Sequence, residues 1–127
     1  MKQILVIDDS QDERQIMRAL LEHDGYQVAT ASDAATALAE LRARPPHAIL
    51  MGLRLPDVPG LELARMIRDE PGMADVPLVA VSAFLDRFDE SQLRQAGFDT
   101  WISKPIGAAN IRRLLSGMWP DEMMLDA

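Results

Sequence analysis

Cysteine is absent from this sequence, and its absence excludes disulfide bonds and thiolate metal sites. Basic residues are scarce: 13 lysines and arginines stand against 20 aspartates and glutamates, which gives a net charge of -7 at pH 7. Because nucleic-acid phosphates are bound by concentrated Lys and Arg, this charge argues against direct binding to nucleic acid. We therefore expect a protein partner and a reducing, cytoplasmic location.

No long hydrophobic run is present either. The apolar run before the first acidic residues has only four members, Ile4 to Ile7, which is too few for a secretory signal or a membrane span. Hydrophobic residues still make up 48% of the 127 positions, as is typical of one folded domain. We expect that domain to span residues 1–119. A loosely held tail at 120–127 should follow, with Met123, Met124 and Leu125 as its only candidates for contact.

Short apolar segments alternate with patterns of helical spacing along the chain. The apolar segments contain β-branched residues, and the strongest of them lack alternation of polar and apolar positions, which is typical of strands buried on both faces. The predicted strands are 4–7, 27–31, 48–51, 78–81 and 100–103. The second and the fifth are the weaker ones, and each follows a glycine predicted to end a helix, Gly25 and Gly97. Helical patterns between successive strands predict an α/β fold, a doubly wound parallel sheet of five strands with helices on both faces.

Polar residues end most of these predicted strands, where ligands of open α/β sheets bind. They are Asp8 and Asp9 after the first strand, Ser82 at the end of the fourth and Lys104 after the fifth; the third ends in Gly52. Adjacent carboxylates suit a hard cation such as Mg²⁺. Each residue also has an ordinary explanation: Asp9 or Ser10 caps a helix, and the hydroxyl and the lysine belong to a strand end and a solvated loop.

Four segments resemble the signature segments of response-regulator receiver domains, and the resemblance extends to about Trp119. They are Ile4–Asp9, Ala48–Asp57, Val79–Ala83 and Ser103–Pro105. The resemblance implies the flavodoxin-like (βα)5 fold with strand order 2-1-3-4-5, and a signalling domain, not an enzyme. In that family an aspartate ending the third strand accepts phosphate from a histidine kinase. The matching positions imply a Mg²⁺ site at Asp8, Asp9 and the Arg54 backbone carbonyl, and phosphoryl contacts from Ser82 and Lys104, which Pro105 follows.

The sequence departs from the family pattern at Gly52, where the family has its phosphate-accepting aspartate. An acyl phosphate requires a carboxylate nucleophile, so we expect the usual phosphotransfer to fail. With one ligand missing, Mg²⁺ should bind weakly or not at all, and no cofactor is required. Asp57 lies five residues further along and cannot take the vacated place without rebuilding the loop, so we assign it to the turn before the third helix.

The remaining site residues suggest a fixed state and a docking face. With no phosphoryl group to contact, Lys104 is expected to pair with Asp8 or Asp9. Trp101 matches the aromatic that moves during receiver activation, although it also fits a partly buried strand residue. It should lie on the face formed by the fourth helix, the fifth strand and the final helix. Phe84 and Phe88, which look exposed, either extend that face or pin the neighbouring loop.

Three functions follow from these observations. The leading interpretation is a receiver that acts in a phosphorelay by phosphorylation-independent protein binding. Its partner would be a histidine kinase, a phosphotransfer protein or a downstream effector, with a homodimer through the face described above also open. The second is a conventional phosphoacceptor regulator in which Gly52 replaces the aspartate in a variant or engineered form. The third, a nucleotide- or flavin-binding enzyme, lacks a glycine-rich phosphate loop.

Overall fold

The computed structural model describes residues 2–118, in which strands and helices alternate as predicted. The strands are β1 (Gln3–Ile7), β2 (Gln27–Ala31), β3 (Ala48–Met51), β4 (Leu78–Ser82) and β5 (Thr100–Ser103). The helices are α1 (Gln11–His23), α2 (Ala34–Ala43), α3 (Gly60–Asp69), α4 (Glu90–Ala96) and α5 (Ala108–Ser116). A short 3-10 helix at Leu85–Arg87, which was not predicted, lies between β4 and α4. Every predicted strand is confirmed to within one residue at each end.

The five strands form one parallel sheet with the order β2-β1-β3-β4-β5. The order reverses at β1, which lies between β2 and β3, so helices cover both faces of the sheet. Ile7 lies opposite Met51 of β3, and Ser82 of β4 lies opposite Ser103 of β5. The carboxyl ends of these strands therefore form one continuous edge of the sheet. This is the predicted doubly wound flavodoxin-like fold.

Two hydrophobic clusters, one on each face of the sheet, explain why the strands show no alternating pattern. Leu5 and Ile7 of β1 pack with residues of α2, α3 and α4. Ile4 and Val6 of the same strand pack with residues of α1 and α5. Because both sets are apolar, successive residues of a strand are hydrophobic whichever face they point to.

The opposite edge, formed by the amino ends of β4 and β5, is closed by the side chain of Arg68 from α3. Its guanidinium donates to the backbone oxygens of Gly97 (2.6 Å) and Val76 (2.6 Å) and also to those of Met73 and Ala74. It also donates to Asp99 Oδ2 at 2.9 Å, and that carboxylate accepts from the Leu78 backbone N–H. Arg68 therefore ties α3 to the loops before both strands. These contacts of Arg68 were not predicted from the sequence.

Gly97 ends α4 in the left-handed conformation, with φ of 115°, as the predicted helix stop requires. Among residues 2–118, no helix has the length and apolar character needed to cross a bilayer. The predicted domain end at 119 and the tail at 120–127 lie outside the described residues.

Candidate functional site

The carboxyl edge of the sheet surrounds an open cleft of about 550 Å³. The residues lining it include all five strand-end residues predicted to meet there: Asp8, Asp9, Gly52, Ser82 and Lys104. Arg54 and Phe84 line the same cleft from the loops after β3 and β4. The structure therefore brings together side chains that lie almost a hundred residues apart in the chain.

Asp8 is the buried carboxylate of the cleft, with 6% of its surface exposed. Its Oδ1 accepts from the Ser10 backbone N–H at 3.0 Å, and its Oδ2 accepts from Lys104 Nζ at 2.8 Å. Arg14 Nη1 donates to the Asp8 backbone oxygen at 2.7 Å. Ser10 is also the N-cap of α1, because its hydroxyl accepts from the Glu13 backbone N–H. The capping interpretation is therefore confirmed for Ser10, and the Asp8 carboxylate next to it lines the cleft.

Lys104 selects Asp8 as its partner, whereas neighbouring Asp9 is exposed to solvent at the mouth of the cleft. The lysine backbone N–H donates to the Ser82 oxygen at 3.0 Å, which continues the β4–β5 ladder past the end of the strand. Pro105 follows through a cis peptide bond and is exposed. The ion pair thus joins the end of β5 to the end of β1 across the intervening strands.

Ser82 is buried, with 5% of its surface exposed, and its hydroxyl is already engaged. The Oγ atom accepts from the Phe84 backbone N–H at 3.0 Å, which fixes the start of the loop that contains the 3-10 helix. The hydroxyl can still donate toward the cleft, because the bond to Phe84 uses it only as an acceptor.

Gly52 ends β3 at the floor of the cleft, next to Asp8. Its backbone N–H donates to the Ile7 oxygen at 2.8 Å. A Cβ atom built on Gly52 would lie 3.4 Å from Asp8 Oδ2, which is ordinary van der Waals contact, and the backbone there is not in the left-handed region. A side chain at position 52 would therefore fit without backbone strain and would point at the Asp8 carboxylate.

Arg54 and Arg87 lie against the same aromatic ring at the rim of the cleft. The Arg54 guanidinium carbon is 5.1 Å from the centroid of the Phe84 ring, and that of Arg87 is 4.7 Å from it. Phe84 and Phe88 are half-buried, and Phe88 packs against the larger core cluster. The expectation that both look exposed is therefore wrong, because cationic side chains cover one ring and the core covers part of the other.

Trp101 lies in the middle of β5, opposite Ala80 of β4, and is half-buried. It packs against the larger core cluster, and the Arg94 guanidinium of α4 lies 5.0 Å from its ring centroid. Trp101 does not line the cleft, so it is separate from the strand-end residues. Its position between α4 and β5 matches the face predicted for it.

Asp57 belongs to the loop after Gly52, as predicted. Its contact with the start of α2 was not predicted from the sequence. Its two carboxylate oxygens accept from the backbone N–H groups of Ala34 (3.0 Å) and Ala35 (3.1 Å), at the start of α2. These bonds hold the pKa of Asp57 below its ordinary value, and the bond from Ala34 has the largest effect. Asp57 therefore couples the loop after β3 to α2 and is already committed to a structural contact.

Gly60 is the residue of this loop that sequence reasoning missed. A Cβ atom there would lie 2.6 Å from the Leu53 Cα and 2.9 Å from the Leu53 oxygen. Only glycine lets α3 begin this close to the segment after Gly52. The preceding turn sequence signalled a change of direction, but nothing in it revealed the close approach of two backbones.

The donors for a cation are incomplete in this arrangement. Among residues 2–118, no group of three His, Cys, Asp or Glu side chains is placed to hold a metal ion. The Asp8 carboxylate forms an ion pair with Lys104, and Gly52 has no side-chain ligand atom. Asp9 and the Arg54 carbonyl are the other predicted ligands. Together these groups do not form the three-carboxylate arrangement that the family resemblance implies.

Comparison with known proteins agrees with the fold. Residues 4–116 match the family model of the response regulator receiver domain. The polar-differentiation response regulator DivK of Brucella anthropi is 34% identical over 105 residues, which cover 83% of this chain and 85% of that protein.

Solved structures give the same result. The receiver domain of the sensor histidine kinase PA1611 from Pseudomonas aeruginosa, solved with a magnesium ion in its active-site cleft, is 29% identical with a TM-score of 0.85, over 92% of this chain and 96% of that one. The chemotaxis response regulator CheY4 of Vibrio cholerae has a TM-score of 0.86 at 23% identity, over 94% of this chain and 99% of that one, a likeness of fold alone. The chain therefore belongs to the receiver domain family of response regulators, the receivers of two-component signalling.

Proposed function

We propose that this receiver acts by phosphorylation-independent binding to a protein partner. The observation that carries this proposal is Gly52, which ends β3 at the floor of the cleft without a nucleophilic atom. Phosphotransfer to a receiver forms a bond between a carboxylate oxygen and phosphorus while the donor's leaving group departs, so a residue with no side chain cannot take part. Asp57 is the next carboxylate along the chain, and its oxygens are bound to α2.

The ion pair between Lys104 and Asp8 supports the proposal, because it would hold the cleft in one conformation. In the family interpretation the lysine contacts the phosphoryl group, whereas here it neutralises a buried carboxylate at 2.8 Å. The backbone N–H of the same lysine donates to the Ser82 backbone oxygen. The Ser82 hydroxyl in turn accepts from the Phe84 backbone N–H, at the start of the loop before the 3-10 helix. The segment after β4, from Ser82 to Asp86, is thereby tied to the end of β1 through Lys104, without a phosphoryl group.

Mg²⁺ binding should be weak in this domain. The related PA1611 receiver holds magnesium in its cleft, but here the donors are Asp9, the Arg54 carbonyl and an Asp8 already paired with lysine. A divalent cation would have to displace Lys104 or share Asp8 with it, at an electrostatic cost. The domain accordingly needs no metal for its proposed action.

The partner would be a histidine kinase, a phosphotransfer protein or a downstream effector. Receiver domains work through such protein contacts, and the face formed by α4, β5 and α5 offers a surface for them. Trp101 and Arg94 meet on this face. A homodimer through the same face is the alternative form of the contact.

One observation favours a second candidate, a conventional phosphoacceptor regulator in which Gly52 replaces an aspartate. Position 52 accepts a side chain in ordinary contact with Asp8, and its backbone does not require glycine. Asp8, Ser82 and Lys104 also remain in place around it. In this view the cleft keeps the other residues of a phosphoacceptor site and lacks only the carboxylate at position 52.

Intact-mass spectrometry after incubation with Mg²⁺ and acetyl phosphate tests the proposal. The protein and its Gly52→Asp variant are treated side by side, with Gly52→Asn as the matched control for side-chain size without a nucleophilic carboxylate. We expect a phosphoryl adduct only on Gly52→Asp. An adduct on the unsubstituted protein, located by peptide mapping, would reveal another acceptor and overturn phosphorylation-independent action.

Partner binding then separates the two candidates. If the domain acts without phosphate, the unsubstituted protein binds its partner as tightly as phosphorylated Gly52→Asp does, measured by calorimetry with a kinase or effector captured on the Gly52 protein. If Gly52 is a silencing replacement, only the phosphorylated variant binds tightly. That result would favour the second candidate over the first.

A further inference from the structure

A groove of about 850 Å³ runs between the outer edge of β5 and α5, away from the strand-end cleft. β5 is the outermost strand: β4 pairs with one side of it, and no described strand pairs with the other. Five half-buried apolar residues line the groove: Pro77, Trp101, Ile102, Leu114 and Met118. An edge strand beside such a surface has unpaired backbone groups and apolar area that an extended segment can cover.

The next residues of the chain begin at the wall of this groove. Gly117 and Met118 line it, and residues 119–127 follow directly. This segment carries Trp119 and the apolar run Met123 to Leu125, with acidic residues on both sides of the run. Methionine adapts to irregular apolar surfaces, so this composition suits a shallow groove.

The reach and the charge of the segment also fit. Met123 lies five residues after Met118, and an extended chain of that length spans about 17 Å, more than the roughly 13 Å of a four-residue strand such as β5. Arg113 lines the groove, is exposed and makes no ion pair with a described residue. Asp75 and Asp99 also line the groove, and Asp99 is already paired with Arg68. Asp121 and Glu122 would therefore be drawn to the Arg113 side.

We propose that residues 119–127 bind in the groove of their own chain, with Met123, Met124 and Leu125 against its apolar wall and Asp121 or Glu122 beside Arg113. The bound segment covers the exposed edge of β5 and part of the face formed by β5 and α5. It would therefore compete with any partner or second copy for that face. This inference does not depend on the proposed function, because it involves neither Gly52 nor the cleft.

Paramagnetic relaxation tests the contact directly, and the lack of cysteine makes the labelling simple. Ala127→Cys carries a single nitroxide label on the full chain, and amide signals are compared with those after reduction of the label. We expect strong loss of signal at Trp101, Ile102 and Arg113, on the groove. Ala37, which packs in the cluster on the other face of the sheet, should keep its intensity.

Two controls decide whether the contact is specific and within one chain. In the same labelled background, Met123→Ser with Met124→Ser and Leu125→Ser should restore the groove signals, because these substitutions remove the apolar side chains proposed to bind there. A mixture of labelled protein without ¹⁵N and unlabelled protein with ¹⁵N should show no signal loss. Loss away from the groove, loss that survives the triple substitution, or loss in the mixture, which means a second copy in the groove, would each overturn the proposal.

Discussion

Charged side chains lie at both ends of the parallel sheet, but they make different contacts at the two ends. At the amino end of β4 and β5, Arg68 binds the backbone oxygens of the surrounding loops together with Asp99. At the carboxyl end, Lys104 and Asp8 form one ion pair in the wall of an open cleft of about 550 Å³. Charged groups thus join loops to one another at one end and line an open cleft at the other.

This difference indicates that the role of a charged residue follows from the groups it contacts more than from its charge. Arg68 donates mainly to backbone oxygens, four of them in the loops before β4 and β5, so its loss should affect the fold. Lys104 binds one side chain, and Asp9 and Arg54 beside it are exposed. Four substitutions test this contrast, from the largest expected effect to the smallest.

Arg68→Ala should lower the free energy of unfolding by about 3 kcal/mol, because several charge-assisted bonds are lost and partly buried carbonyls are left without a donor. Urea unfolding followed by circular dichroism measures this loss. Arg65→Ala, an exposed arginine on the same helix, is the matched control and should change stability by less than about 0.5 kcal/mol. Equal losses in the two variants would mean that Arg68 does not fasten the amino end.

Lys104→Met should lower the free energy of unfolding by about 2 kcal/mol, less than a fully buried pair would lose, because 21% of the lysine side chain is exposed. The buried Asp8 carboxylate is left without its cation, so the cleft itself should also rearrange. Amide shifts of Ser82 to Asp86 report that change. Asp9→Asn, at the exposed neighbour, is the control. Unchanged shifts in this segment would show that Lys104 does not hold the loop.

Gly52→Asp should lower the free energy of unfolding by about 1 kcal/mol in the absence of metal, because carboxylate repulsion exceeds the roughly 0.5–1 kcal/mol of backbone entropy that glycine costs. Its Cβ would lie 3.4 Å from Asp8 Oδ2. Millimolar Mg²⁺ should raise the Tm of this variant clearly and that of the unsubstituted protein little. Gly52→Asn, which adds the shape without the charge, should be the more stable of the two variants without metal. The reverse order would show that repulsion is not the cause.

Asp57→Asn should have the smallest effect, visible mainly in the pH dependence of stability. The pKa of Asp57 is lowered by the backbone N–H groups of α2, so the carboxylate contributes stability above its unfolded pKa of about 3.8. That contribution is lost as the pH falls through the lower pKa of the folded state. Thermal melts between pH 6 and about 2.5 should show a shallower acid-side decline for Asp57→Asn. Asp12→Asn, on α1, is the control and should keep the original slope.

The sequence predicted the sheet well because its signals are local. Apolar segments without alternation marked β1, β3 and β4, and helix stops at Gly25 and Gly97 marked the starts of the weaker strands β2 and β5. The meeting of Asp8, Ser82 and Lys104 followed from the parallel topology, which places all strand ends at one edge. Even the pairing of Lys104 with an aspartate was expected, although the choice of Asp8 over Asp9 required the structure.

The remaining contacts depend on geometry that no local pattern encodes. Arg68 reaches a loop 29 residues away, and Asp57 binds the start of α2, 23 residues before it. The covering of Phe84 by two arginines likewise depends on how the loops after β3 and β4 fold against each other. Side chains of such length and polarity fit many surfaces, so the sequence alone does not select their partners.

Two glycines on one loop set opposite limits on how this gene can vary. At position 60, any side chain collides with the Leu53 backbone, so a saturation library should recover almost nothing but glycine there. At position 52, the backbone accepts other residues, and a single-base change converts any glycine codon to an aspartate or a glutamate codon. A carboxylate at the floor of the cleft therefore lies one mutational step away, and the surrounding scaffold places no steric barrier in the path of that step.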